Sequence, residues 1–161
     1  MLADPVQRGL CTAAQLCTEL GECGRRGSAT PRRVIREVSA GIRSAAEGDA
    51  KRLWRASGLP EPWWNVPVYD ASGTFLGTAD GWFDEVALVW EINSLAWHLN
   101  PIDYEREQER IARFVAAGVP VLPTQPVRLR SDERAVRHEL CGAYDHAAAR
   151  PRPAVRAIRR S

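Results

Sequence analysis

The sequence predicts one mixed α/β (α+β) domain, and three observations predict it. Two strand-like runs flank a short acidic turn within Phe75 to His98. Two long segments open with an N-cap residue followed by proline, Thr30-Pro31 and Asn100-Pro101, which is how helices begin. The short apolar run Val119 to Thr124 follows the second of these, so a strand–helix–strand crossover and a parallel strand pair are expected. With 161 residues the chain is long enough for one real core. A hydrophobic content of 45% with 26% charged residues is that of a globular chain.

Residues 1–29 read as a helical segment and linker. Thr12 and Gln15 fit a capping box, Ala14, Leu16 and Leu20 form an apolar stripe, and Gly21 to Ser28 breaks it. A helix then runs from Thr30 towards Ser57, with a bend or break expected at Gly41 or Gly48 and a stop at Gly58 and Pro60. Asn65 to Asp70 reads as a strand. Pro67 inside it lacks an N–H, which predicts a sheet edge.

Ala71-Ser72-Gly73 turns the chain into a hairpin of Thr74 to Trp82 and Val86 to Asn93. Ala87 to Ile92 is nearly all apolar, as expected of a central strand covered on both faces. The next helix runs to Ala117 and ends at Gly118. Ser131 is expected to cap a last helix to Ala149. The main domain is thus 30–149, and the Arg/Pro-rich residues 150–161 read as a basic disordered tail.

The hairpin register faces Asp80 with Glu91, and opposed Cβ atoms lie ~5 Å apart. Asn93 joins the same face by the two-residue strand period. Two adjacent carboxylates repel unless a cation lies between them, and a hard divalent ion, Mg²⁺ or Mn²⁺, prefers oxygen ligands. Glu47 borders the helix face that carries Ala50 and Trp54. The structural alternatives are plain. Asp80 would pair with an arginine at a strand end, Glu91 with Arg106 or Arg110, and Glu47 would be solvated. His98 follows the second strand and either handles a proton or is an ordinary loop histidine.

The net charge of +2 does not by itself indicate nucleic acid. Its distribution is more informative. Arg32, Arg33 and Arg36 cluster early, several arginines end the chain, and Lys51 is the only lysine. Guanidinium groups suit bidentate phosphate contacts, although an arginine-rich composition also follows from a GC-rich genome. Trp63-Trp64, beside Pro62, is the tryptophan pair best placed to stack on bases, while the other tryptophans read as core or rim. Cys11, Cys17, Cys23 and Cys141 form no CxxC pair and the histidines no zinc spacing, so free thiols in the cytoplasm are expected. No run of 18 apolar residues occurs, so no membrane span is expected.

Helix, three strands, helix, strand, with an acid on the second strand and another on the third, resembles the αβββαβ plan of the PD-(D/E)XK restriction-endonuclease-like superfamily. The stretch SAAEGDAKRLWRASGLPEPWWNVPVYDASGTFLGTADGWFDEVALVWEINSLAWH is similar to the very-short-patch-repair (Vsr-like) endonuclease group. Within it, the stretch resembles a set of actinobacterial proteins, some linked to AbiEi-like type IV toxin–antitoxin systems.

The resemblance spans about Pro31 to Arg150. It implies that Asp80 and Glu91 are metal-holding acids, that Glu47 is the first-helix acid, and that His98 takes part in phosphodiester hydrolysis. Asn93 stands where the superfamily has lysine. The implied activity is Mg-dependent DNA cleavage in repair, restriction or phage defence, with a toxin or antitoxin as a further partner. The alternative is a nuclease fold that has lost cleavage and acts as a DNA- or protein-binding module.

Overall fold

The computed structural model describes residues 29–92 and 101–159, with only the backbone described for 29–40, 42–43 and 101–104. Helix α1 spans Ala29–Ser57, followed by strands β1 (Trp63–Asp70), β2 (Phe75–Phe83) and β3 (Leu88–Ile92). Helix α2 (Pro101–Ala116), strand β4 (Val121–Thr124), the single turn α3 (Arg128–Ser131), helix α4 (Glu133–Ala148) and strand β5 (Val155–Ala157) complete the order. The helix–three strands–helix–strand plan is therefore present, as a mixed sheet flanked by helices. Segment 1–28 and its cysteines, together with Asn93 and His98, lie outside the described residues.

The sheet order is β4-β3-β2-β1-β5. The expected hairpin register holds: Gly81 faces Trp90, Trp82 faces Val89 and Phe83 faces Leu88. The connecting turn closes with a hydrogen bond from the Ala87 N–H to the Asp84 carbonyl, and Ala87 takes φ +52°. The β3–α2–β4 crossover is parallel, with Val89 beside Val121 and Ile92 beside Thr124. At the β1–β2 turn the Asp70 carboxylate accepts from the N–H groups of Ser72 and Thr74, and Gly73 supplies the left-handed φ of +88°.

Two apolar layers hold the sheet. On the α2 side Val66, Val68, Trp82 and Val89 pack with Phe114. On the other side Phe83, Leu88 and Trp90 pack with Ala50 and Leu53 of α1 and with Val136 and Leu140 of α4. Full burial of each valine, leucine and phenylalanine here is worth about 1.5–3 kcal/mol. Trp64 and Val66, two residues apart, fall in opposite layers. Asn65 between them takes φ +53°, which breaks the strand alternation and turns Trp64 onto Trp90. Trp90, fully buried, donates its indole N–H to Thr124 Oγ1 at 2.9 Å.

Four expectations need correction. Helix α1 is continuous from Ala29 to Ser57, so the break expected at Gly41 or Gly48 does not occur. The packing of Ala46, Ala50 and Leu53 outweighs the helix cost of a glycine, ~1 kcal/mol. Strand β1 is not at the edge, because β5 pairs with it through Val68 to Asp70. The Pro67 carbonyl accepts from the Ile158 N–H, where β5 has just ended. The missing proline donor thus falls at the end of that ladder and not within it.

The tail beyond Arg150 accordingly contains a strand and is not disordered throughout. Val155 is buried against the α2-side layer, and Arg152 donates to the Asp84 carbonyl and carboxylate. Ser131 does not cap the last helix. Its hydroxyl donates back to the Val127 carbonyl, and Asp132, with extended φ of −145°, occupies the N-cap position.

Candidate functional site

The site lies where β2 and β3 part. Their ladder ends at Gly81–Trp90, one pair short of Asp80 and Glu91. Beyond that point side chains take over the backbone bonding. The Ile92 N–H donates to Asp80 Oδ2 at 2.8 Å. The Thr78 carbonyl accepts from Arg110 Nη1 at 2.7 Å, and the Leu76 carbonyl from Arg113 Nε at 2.9 Å. Asp80 and Glu91 thus come together as the register predicted, but across an opening in the sheet, with α2 above it.

Glu91 is fully buried. Arg110 grips it with both arms of the guanidinium, Nη1 to Oε1 at 3.2 Å and Nη2 to Oε2 at 2.7 Å. The same Nη2 lies 2.7 Å from both oxygens of Glu107. Of the two arginines open as partners of Glu91, Arg110 makes this two-armed pair.

Burial, the Asp80 charge and Glu107 push the Glu91 carboxyl up to about 8, against the opposing pull of Arg110. Burial also raises Asp80. The Ile92 N–H and Arg110 oppose that rise, while Glu107 and Glu47 add to it. Burial alone would lower Arg110, but Glu91, Glu107 and Asp80 outweigh it and hold the guanidinium charged. One arginine does not return Glu91 to the ordinary carboxylate range.

Glu47 is half-buried on α1, and its charge adds the least of the upward pushes on Asp80. Arg32, Arg33 and Arg36 lie on α1, with their side chains outside the described residues. Trp64 is half-buried in an aromatic group with Trp54 and Trp90, at centroid distances of 6.3 and 6.1 Å, and Lys51 lies over it at 5.4 Å. Trp63, also half-buried, has the Arg159 guanidinium over its ring at 5.8 Å. It borders a concavity of about 260 Å³ with Phe83 and Tyr144.

Glu107 and Arg110 are the site residues that sequence reasoning did not bring together. Their i, i+3 spacing on a helix was the available signal. Gly77 was also missed. A Cβ there would stand 2.7 Å from Arg110 Cγ and 3.1 Å from Phe114 Cε2, so its bare backbone is what seats the arginine stem.

Among the described residues no group of three or more His, Cys, Asp or Glu side chains forms a ready metal cage. The donor chemistry of Asp80 and Glu91 still fits a hard divalent ion. Both are oxygen ligands, both are raised by burial, and Glu91 is raised further by Asp80. Mg²⁺ commonly rests on one or two carboxylates and keeps waters for the remaining positions.

No family model matches the chain, and no solved structure matches it. Two Mycobacterium tuberculosis proteins do: the uncharacterized protein Rv2248 of strain H37Rv and the uncharacterized protein MT2308 of strain CDC 1551 / Oshkosh. Each is 28% identical over 100 residues, which is 62% of this chain and 36% of the relative. The match thus spans about a third of the length of these relatives. Among the described residues no helix is long and apolar enough to cross a membrane.

Proposed function

We propose that this chain is a divalent-metal-dependent DNA endonuclease of the PD-(D/E)XK, Vsr-like kind, acting in the cytoplasm in repair, restriction or phage defence. The observation that carries the reading is the opening between β2 and β3. There Asp80 and Glu91 meet with both carboxyls raised, and Glu47 and Glu107 add to the negative potential. Asp80 and Glu91 are the residues that would hold Mg²⁺ or Mn²⁺. A bound ion supplies a lowered pKa for its water and charge for the phosphate.

In hydrolysis a water oxygen joins phosphorus, one P–O ester bond breaks, and the leaving oxygen takes up a proton. His98 is the residue assigned to that proton transfer, and Glu47 assists at the acidic side. Arg32, Arg33, Arg36, Trp63 and Trp64 are the assigned DNA contacts, and a toxin or antitoxin chain is a further proposed partner.

A second reading is favoured by one observation, the two-armed grip of Arg110 on Glu91. It neutralises part of the cluster without any metal, as expected of a domain that has lost cleavage and binds DNA or protein. A plasmid-nicking assay separates the two. The first reading expects Mg²⁺- or Mn²⁺-dependent nicking that disappears in Asp80→Asn and Glu91→Gln, while duplex binding survives. The second expects no nicking with any divalent ion, and duplex binding that is indifferent to Glu91→Gln.

A further inference from the structure

We infer that Arg110 is the resident counter-cation of this site, a positioning residue that competes with a divalent ion for Glu91 and so sets how tightly the ion is held. The inference rests on the metal reading above and adds a regulator to it.

Both oxygens of Glu91 are engaged by Arg110. A divalent ion that uses Glu91 must take at least one of those oxygens from the guanidinium. The two cations therefore cannot both keep their full contacts. Arg110 is not dependent on Glu91 alone, because it also holds both oxygens of Glu107 and the Thr78 carbonyl. When Glu91 is surrendered, those contacts still anchor the arginine. Its side chain is 21% exposed, so it borders solvent and is not sealed in the core.

Gly77 supplies an independent observation. It lies in β2 without a positive φ, so the turn-forming freedom of glycine does not account for it. A Cβ at 77 would stand 2.7 Å from Arg110 Cγ and 3.0 Å from Cδ. The strand is bare where the arginine stem lies flat, which fixes the guanidinium at Glu91.

A purely structural staple and a competitor differ in sign. Removing a staple loosens the site and weakens ion binding. Removing a competitor exposes two adjacent carboxylates to the ion and strengthens it. The test is calorimetric titration with Mg²⁺ alone at mildly alkaline pH, where protons compete least for the carboxylates. The proteins are wild type, Arg110→Gln, Arg110→Lys and Gly77→Ala.

The expected result is a Kd at least about tenfold lower for Arg110→Gln. Arg110→Lys should fall between, because an ammonium keeps the charge but cannot span both oxygens. Gly77→Ala should shift the same way with every charge retained. Equal or weaker binding in Arg110→Gln, with wild type binding, overturns the inference and leaves the metal reading standing. If Arg110→Gln does not fold, unchanged affinity in both Arg110→Lys and Gly77→Ala overturns it. Absence of Mg²⁺ binding in every protein overturns the metal reading itself, and this inference with it.

Discussion

Two arginine–carboxylate clusters flank the sheet, and they are built with opposite charge balance. On the α2 side one guanidinium, Arg110, serves Glu91 and Glu107, with Asp80 alongside. On the α1 side two guanidiniums, Arg130 and Arg52, serve one carboxylate, Asp49. Both clusters centre on a buried acid. Burial pushes Asp49 up, but hydrogen bonds and charge from Arg130 and Arg52 more than offset it and hold its carboxyl below the ordinary value. Glu91 goes the other way, to about 8. The contrast teaches that burial alone does not mark a functional acid. What marks it is burial among like charges with too few cations, and among the described residues the Asp80–Glu91 opening has that balance.

The largest way to break this contrast is Arg110→Ala. It removes the two-armed ion-pair partner of a fully buried glutamate, and breaking a buried pair costs about 3–5 kcal/mol. Urea unfolding at mildly alkaline pH, where Glu91 is most charged, should show that loss. At acidic pH, where Glu91 is protonated, the loss should shrink.

The next effect is on pH dependence in the absence of divalent ions. Below its ordinary value of 4.5, Glu91 is protonated in the folded and unfolded states alike, and its contribution is fully present. Between 4.5 and about 8 the unfolded chain has released the proton while the folded chain retains it. Stability then falls as pH rises, by at most ~1.4 kcal/mol per pH unit. Asp80, also raised, acts in the same direction. Glu91→Gln should flatten this fall, measured as Tm against pH. Asp49 has the opposite sign. Its contribution is present above its ordinary value of 3.8 and is lost as pH falls through its lowered folded value.

The smallest effect is Asp49→Asn. Its arginine partners are 65% and 57% exposed, so solvent screens the pair, and the cost should be about 1 kcal/mol or less and diminish with salt. A loss as large as that of Arg110→Ala would erase the distinction between the clusters.

The hairpin, the crossover and the pairing of Asp80 with Glu91 were legible because each rests on local signals. Turn residues, apolar runs and the two-residue strand period fix the register without knowledge of the rest of the fold. The identity of Glu91's partner was only half legible. Arg106 and Arg110 sit one helical turn apart, and how α2 packs against β2, where bare Gly77 admits the Arg110 stem, is not a local signal. Strand β5 was not legible at all. Three residues among prolines and arginines carry no strand signal, and Val155–Ala157 becomes a strand only because β1 presents an open edge to it. Pro67 misled for the same reason: the rule that places proline at an edge applies to each side of a strand, and β5 covers only part of one side.

Whether Asp80 and Glu91 hold the ion is read from thermal melting with increasing Mg²⁺, using wild type, Asp49→Asn and the double variant Asp80→Asn/Glu91→Gln. An ion that binds only the folded state adds about 2.7 kcal/mol of stability at a hundred times its Kd. Wild type and Asp49→Asn should rise in Tm with Mg²⁺ to the same degree, and the double variant should not respond. A double variant that responds as wild type does would contradict the account and place the ion elsewhere.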